Sequence, residues 1–532
     1  MKRSTILLAL CLITGITLAQ PLNIIPRPQE IKQQNGHFAI NPQTKIITGV
    51  AGYESAKTLQ QQLQTAFGLE NQLEENNKQK ENYILFKQNG KLSKEAYELN
   101  ISPKSIEISA STATGWFYGV QTLLQLMDEN PSEIPAVAIS DSPRFPWRAF
   151  MLDESRYFKG AEQVKLLLDE MARLKMNVFH WHLVDDQGWR IEIKKYPLLT
   201  QIGSKRSSTQ VGPLKWDSPI QSAEPHEGFY TQEQIKEIIA YAKARHITIV
   251  PEIEMPGHSS AAIAAYPWLG TAKKEIEVPT KFGVGTDVYD VSDPKVYQFL
   301  TDVLDEVMEL FPSEVIHIGG DEVKYDHWKS SETVQAYMKK NGIASPAGLQ
   351  VFFTNRISNY LESKGRRMMG WNEIMGHNLH HFQDDSDTKV DQQLAQQTLI
   401  HFWKGDLNLA TTAASNGYEI VNSLHSLTYL DYDYQSIPLS KAYHFDPIPE
   451  GLAKEYHSKV IGTGSQMWGE WIPTNGHMHF MVFPRLAAYA EVGWTELANK
   501  DFDSFKTALK KLQAIWQEKG IYYAPDDFVE KK

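Results

Sequence analysis

Among 532 residues there is one cysteine, Cys11, and it lies in the N-terminal stretch. With that stretch removed, the chain has no thiol, which excludes a disulfide framework, a cysteine metal site and a thiolate nucleophile. Stability must then come from core burial, which a chain of this length can supply. Positive charge is also short. Lys and Arg number 53 against 64 Asp and Glu, a net charge of −11, and no basic cluster offsets it. Nucleic acid and anionic membranes are therefore excluded as partners on electrostatic grounds. No apolar run beyond the N-terminus is long enough to cross a bilayer. What is present is a globular composition, 42% hydrophobic and 22% charged, with length for two or more domains.

The first twenty residues read MKRSTILLALCLITGITLAQ. Lys2 and Arg3 precede an apolar run that ends in Thr17-Leu18-Ala19, the pattern of a secretory signal peptide spanning 1–19. An uncleaved anchor is disfavoured because the run is short for a span, and a lipoprotein because Leu10 is a poor residue before a lipidated Cys11. A cysteine-free exported chain suits a bacterial periplasm or the medium.

Residues 20–142 mix short β-rich runs (His37–Ile40, Lys45–Thr48, Tyr83–Phe86, Tyr97–Ile101, Ser105–Ser109) with helical stretches near Tyr53–Phe67 and Thr114–Met127. This predicts a small α+β domain with a hairpin across Pro103-Lys104, and the polar run Glu70–Glu81 reads as a solvated loop. Two prolines in Ser140–Pro146 place a domain boundary there. From 143 to 498 strand and helix signals alternate. The strand candidates are Trp147–Asp153, Asn177–Val184, Ile247–Glu252, Glu314–Gly319, Arg367–Trp371, Leu399–Trp403, Glu419–Asn422 and Gly464–Trp468. Eight such runs predict a closed (β/α)8 barrel. A doubly wound open sheet is the runner-up, with no glycine-rich phosphate loop after the first strand to support it. Residues 499–532 add a C-terminal amphipathic helix.

The stretch VIHIGGDEV, Val315–Val323, organises the rest. A β-favouring run meets two glycines and then the adjacent acids Asp321 and Glu322. Successive strand residues point to opposite faces, so both acids can meet one ligand only where the strand ends or bulges, which Gly319 and Gly320 permit. In a barrel the active site lies at the carboxyl ends of the strands. The ends here offer Asp153 and Arg156, Asp185 and Asp186, His258, Asp321 and Glu322, Trp371 with Asn372 and Glu373, Trp403, Tyr429 and Asp431, and Trp468 with Glu470. Tryptophan faces suit the C–H surface of a pyranose, and carboxylates with an Arg suit its hydroxyls, so the inventory points to a small neutral sugar.

Four motifs carry a specific resemblance: LDESRYF at Leu152–Phe158, HWHLVDDQGWR at His180–Arg190, PEIEMPGH at Pro251–His258 and HIGGDE at His317–Glu322. In this order they resemble glycoside hydrolase family 20, the β-N-acetylhexosaminidases, and the preceding α+β domain resembles that family's N-terminal domain. The resemblance implies retaining hydrolysis of terminal β-linked N-acetylglucosamine or N-acetylgalactosamine without cofactor or metal. Ordinary retaining glycosidases place two carboxylates roughly 5 Å apart across the sugar. Sequence neighbours, with Cα atoms about 3.8 Å apart, do not easily straddle a ring. The family's substrate-assisted route needs no such pair. On it, Glu322 would be general acid and base and Asp321 would hold the acetamido N–H. Asp185 and His258 would tune Glu322, and Arg156, Asp431 and Glu470 would bind hydroxyls. Tyr429 would bond the acetamido oxygen, and Trp371, Trp403 and Trp468 would wall the pocket. His317 reads as a core or supporting histidine. Two rivals stand beside this reading. His180 and His182 share a strand face as barrel metal ligands do, although no further ligands are evident at matching strand ends. A non-catalytic sugar-binding scaffold is the other, against which the intact Asp321–Glu322 pair speaks.

Overall fold

The computed structural model describes residues 22–530 apart from 77, 128–129, 213–215, 378 and 388. The signal-peptide stretch Met1–Ala19 lies outside the described residues. Among them, no helix is long and apolar enough to cross a membrane.

The N-terminal region forms a seven-stranded mixed sheet. Its order across the sheet is Glu30–Phe38, Ile134–Asp141, Tyr97–Ile101, Ser105–Ala110, Tyr83–Gln88, Lys45–Thr48 and Leu73–Glu74. Helices Tyr53–Phe67 and Ala113–Met127 pack against it. In Tyr97–Ile101 buried residues alternate with exposed ones, so one face holds the core. The hairpin expected across Pro103-Lys104 is antiparallel, pairing Tyr97 with Ala110. Three strands of this sheet departed from expectation. The first runs Glu30–Phe38 rather than His37–Ile40, and its mostly exposed, polar residues carry no alternating signal. Ile134–Asp141 gave no strand signal amid its prolines, yet it sits inside the sheet between two partners. Leu73–Glu74 adds a two-residue edge strand within the stretch expected to be a loop.

Trp147 begins a closed parallel barrel of eight strands: Trp147–Asp153, Val178–His182, Thr248–Glu252, Val315–His317, Arg367–Trp371, Leu399–Phe402, Glu419–Asn422 and Val460–Met467. The last pairs with the first, Gly464 beside Ala149, which closes the ring and removes the open-sheet alternative. The eighth strand starts four residues before its predicted onset because its glycines hide the β pattern. A Cβ on Gly462 would fall 1.8 Å from the Trp147 carbonyl oxygen, so glycine is what lets the closing strands meet.

The intervening helices begin where side chains can satisfy free N–H groups. Thr231 and Gln234 form the expected capping box, and Asp293 and Ser345 each cap a helix that opens on proline. The C-terminal helix Phe502–Glu518 buries Phe505, Leu509, Leu512 and Trp516. The sheet domain is locked to the barrel by buried charge. Lys175 Nζ lies 3.0 Å from Asp141 and donates to Tyr97 Oη at 2.8 Å, and Arg148 forks onto Glu95 at 2.8 and 3.1 Å.

Candidate active site

The fourth strand stops at His317, and the chain then turns through Gly319 (φ +66°) and Gly320 (φ +88°). A Cβ on Gly319 would overlap the Glu254 carboxylate, so both backbone shape and space demand glycine there. Glu322 itself has φ +51°, a conformation that costs a non-glycine residue of order 1–3 kcal/mol and persists only where its surroundings impose it. His258, with φ +46°, is held the same way on the loop after the third strand. These turns bring the two loops together. Asp321 Oδ2 lies 3.7 Å, and Glu322 Oε2 3.8 Å, from one atom, His258 Nε2.

Behind His258 stands Asp185, which joins three cationic or ring partners. Its carboxylate lies 2.8 Å from Arg156 Nη2 and is bonded to His182 Nε2 at 3.0 Å and His258 Nδ1 at 3.1 Å. Burial would raise the Asp185 carboxyl, but Arg156, His258 and His182 together hold it well below the ordinary range. Burial would likewise lower His258, and Asp185 and Asp321 overcome it, so the imidazole is pushed well above its usual value and is cationic. Arg156 is fixed in turn by Asp153 at 3.2 Å and by Gln187 at 2.9 Å, with Glu470 at 3.8 Å, and its guanidinium lies 5.3 Å from the Trp468 ring centroid.

Asp321 is raised to about 7, first by burial and then by the negative charges of Glu373 and Glu322, with His258 opposing. Its Oδ1 is buried and has no hydrogen-bond partner among the described residues, and the same is true of Asp431 Oδ1. Both residues line a cavity of about 500 Å³. Arg156, His258, Asp321, Glu322, Trp403, Tyr429, Asp431, Trp468 and Glu470 all line it. Trp403 and Tyr429 are parallel, 5.9 Å apart at 6°. Trp371 is placed deeper. It is almost fully buried, packs with Met151, Tyr429 and Trp468, and donates from its indole N–H to Glu252 at 2.8 Å. Asp185 also stands behind the cavity wall rather than on it.

Several contributors were not singled out from the sequence. Glu252 is bonded to His182 Nδ1 at 2.6 Å and lies 2.9 Å from both His180 and His317. The neighbours that His180 and His182 lacked in sequence are thus supplied by a third strand, whose Glu252 sits level with His182 by register. On the far side of Glu322, His380 Nδ1 is 3.6 Å from Glu322 Oε1. Lys404 donates to that same Nδ1 at 3.1 Å, so the ring's other nitrogen carries the proton and donates to Glu373 Oε1 at 2.9 Å. Trp403 donates to the second Glu373 oxygen at 2.8 Å. Burial pushes Glu373 up to about 7, against the Trp403 bond and with Glu322 adding to it, and burial pushes His380 down to about 4. Glu373 was visible at a strand end, whereas His380 lies in a loop without periodicity.

Residues 145–497 match the catalytic domain of glycosyl hydrolase family 20, and residues 21–142 match domain 2 of that family. A β-hexosaminidase of Porphyromonas gingivalis is 35% identical over 526 residues, covering 94% of this chain and 64% of its own length. One from Vibrio furnissii is 34% identical over 494 residues, covering 90% of this chain and 77% of its own. The crystal structure of an exo β-N-acetylglucosaminidase of the same family from Vibrio harveyi, in complex with N-acetylglucosamine, superposes with a TM-score of 0.82. It is 32% identical and covers 95% of this chain and 78% of its own.

Proposed function

The chain belongs to glycoside hydrolase family 20, and from that premise we propose that it removes terminal, non-reducing β-linked N-acetylglucosamine or N-acetylgalactosamine from glycans, with retention at the anomeric carbon. The observation that carries this reading is the placement of Asp321 and Glu322. Their oxygens approach one nitrogen of His258 and lie within 4.8 Å of each other and of it. Their shared approach to one imidazole nitrogen supports reading them as two groups on one side of the cavity rather than as an acid and a protein nucleophile bracketing a sugar. The nucleophile is the substrate's own acetamide.

In the first step the acetamido carbonyl oxygen attacks the anomeric carbon while the glycosidic C–O bond breaks and Glu322 gives its proton to the leaving oxygen. The product is an oxazolinium ion. The Asp321 carboxylate, which lines the cavity, accepts the acetamido N–H, and its negative charge faces the positive charge that develops there. In the second step water attacks the same carbon, Glu322 takes its proton, and the acetamide re-forms. Asp185 and cationic His258 set the field around Glu322. Arg156, Asp431 and Glu470 meet the hydroxyls of the terminal sugar. Trp403, Tyr429 and Trp468 enclose its ring and acetamide, with Trp371 behind them.

Proton NMR of the first-formed product tests the stereochemistry, and the β-anomer is expected. Comparable rates on plain β-glucosides and their 2-acetamido counterparts would overturn the mechanism. The N-terminal sequence supports export, and Edman sequencing of the mature protein is expected to begin at Gln20.

A further inference from the structure

The cavity lining carries charge of both signs. Asp321, Asp431, Glu470 and Arg156 are the groups assigned above to the terminal sugar. Two lysines, Lys324 and Lys404, both half-buried, line the same cavity, and Lys404 Nζ also lies 5.0 Å from the Trp403 ring centroid. Among the described residues, neither ammonium has a carboxylate oxygen within 4.0 Å. Lys324 donates one bond, to the Val284 carbonyl at 2.9 Å. Lys404 donates to His380 at 3.1 Å. Each ammonium has three protons, so each keeps donors to spare. Glu373, whose charge Lys404 feels, has both oxygens engaged by His380 and Trp403.

The two lysines belong to one patch. Phe382 stacks on His380 at 4.9 Å and 14°, with Lys324 5.7 Å from the Phe382 ring centroid and Lys404 against the His380 ring. The patch is tied to the acid itself through His380, 3.6 Å from Glu322 Oε1. Glu322 delivers its proton to the leaving oxygen, so groups on its outer side meet the sugar that leaves. A neutral leaving sugar would cover two part-buried cations without pairing them, which is costly. An acidic one would pair both.

We propose that the leaving-group side of this site recognises an anionic sugar, so that the preferred substrate carries its terminal N-acetylhexosamine on a residue bearing a carboxylate or a sulfate ester. This rests on the proposed function. The test compares kcat/KM on three β-N-acetylglucosaminyl disaccharides: one with a neutral hexose at the leaving position, one with a hexuronic acid and one with a 6-O-sulfated hexose.

At low salt an acidic substrate is expected to be favoured about tenfold, as two part-exposed charge pairs worth roughly three- to fivefold each would give. The preference should shrink towards unity at about 0.5 M salt. It should also fall in Lys324→Gln and Lys404→Gln and vanish in the double variant. The ratio is read within each variant, so a loss common to all substrates cancels, and the wild-type ratio with its salt dependence stands even if a variant misfolds. Preference for only one acidic disaccharide would support the proposal and identify the source of the charge. Activity with a ratio near one, or a ratio unmoved in the double variant, would overturn this inference alone. Inactivity on all three would overturn the proposed function and this inference with it.

Discussion

Two rings of side chains, one pleat apart inside the same barrel, differ sharply in character. The lower ring consists of Ala149, Val178, Val250, Val315, Met369, Leu399 and Val421. Two residues further along each strand, about 6.6 Å nearer the carboxyl end, the ring reads Met151, His180, Glu252, His317, Trp371, His401 and Ser423, all buried. The lower ring is held by dispersion and exclusion of water, and any close-packed set of similar volume would serve. The upper ring is tolerated in the interior only because its members answer one another. Glu252 is bonded to His182 and Trp371, and His401 to Ser423 at 2.8 Å. Burial opposes ionisation of Glu252, yet His317, His182 and His180 hold its carboxyl well below the ordinary range. His182 is driven the other way, up to about 10, as Glu252 and Asp185 outweigh its burial. The lesson is a division of labour along each strand: the amino end supplies stability, and the carboxyl end orients what faces the sugar.

That contrast can be broken by substitution. At the rim, Glu322→Gln should lower kcat by about 10³- to 10⁴-fold, since both steps pass a proton through it; near-normal turnover of a chromogenic N-acetylglucosaminide would remove its role. Asp321→Asn should cost about 10²- to 10³-fold and weaken binding of thiazoline mimics of the intermediate. In the upper ring, Glu252→Gln should lower kcat by roughly tenfold to a hundredfold with little change in far-UV circular dichroism, because Trp371 and His182 lose their charged acceptor and shift. Full activity there would reduce the polar ring to mere filling. In the lower ring, Leu399→Ala should cost about 3 kcal/mol in urea unfolding while KM stays unchanged; a raised KM would show that the two rings are not separable.

The smallest effect sharpens the electrostatics. On the proposed mechanism Asp321 acts ionised, facing the oxazolinium charge, so kcat/KM should fall as pH drops through its value in the free enzyme. That limb is displaced upward from the ordinary aspartate range, towards about 7. Removing a like charge with Glu373→Gln should move it to lower pH, by less than about one unit because burial, the larger cause, remains. A limb unmoved by that substitution would detach Glu373 from the site.

Legibility followed the same division. The strands Trp147–Asp153, Arg367–Trp371 and Glu419–Asn422 were readable to the residue, because short, largely apolar runs between polar residues and helical patterns leave little choice of state. Ile134–Asp141 was not, since Pro135 interrupts its β-favouring run and its last two residues fall in the stretch Ser140–Pro146 that reads as a boundary. Its strand state comes from two partners, one of them more than 90 residues earlier in the chain. Within the site, Asp321, Glu322, Asp185, His258 and Arg156 stood at strand ends or in dense motifs. His380 had no such marker, because a loop residue acquires its neighbours only when separate βα connections fold over one mouth, and Lys324 and Lys404, though each directly follows a strand-end motif, gave no sign of sharing one cavity.

By itself the sequence determined the alternation of strands and helices, the turn at Gly319-Gly320 and the pairing of adjacent acids, because these are local matters of period, backbone freedom and order along the chain. Only the tertiary structure decided that both acids face one cationic imidazole, that Glu252 draws together histidines from two other strands, and that Lys324 and Lys404 line the same cavity as Glu322. Those facts depend on distances between residues far apart in the chain, which closure of the barrel sets.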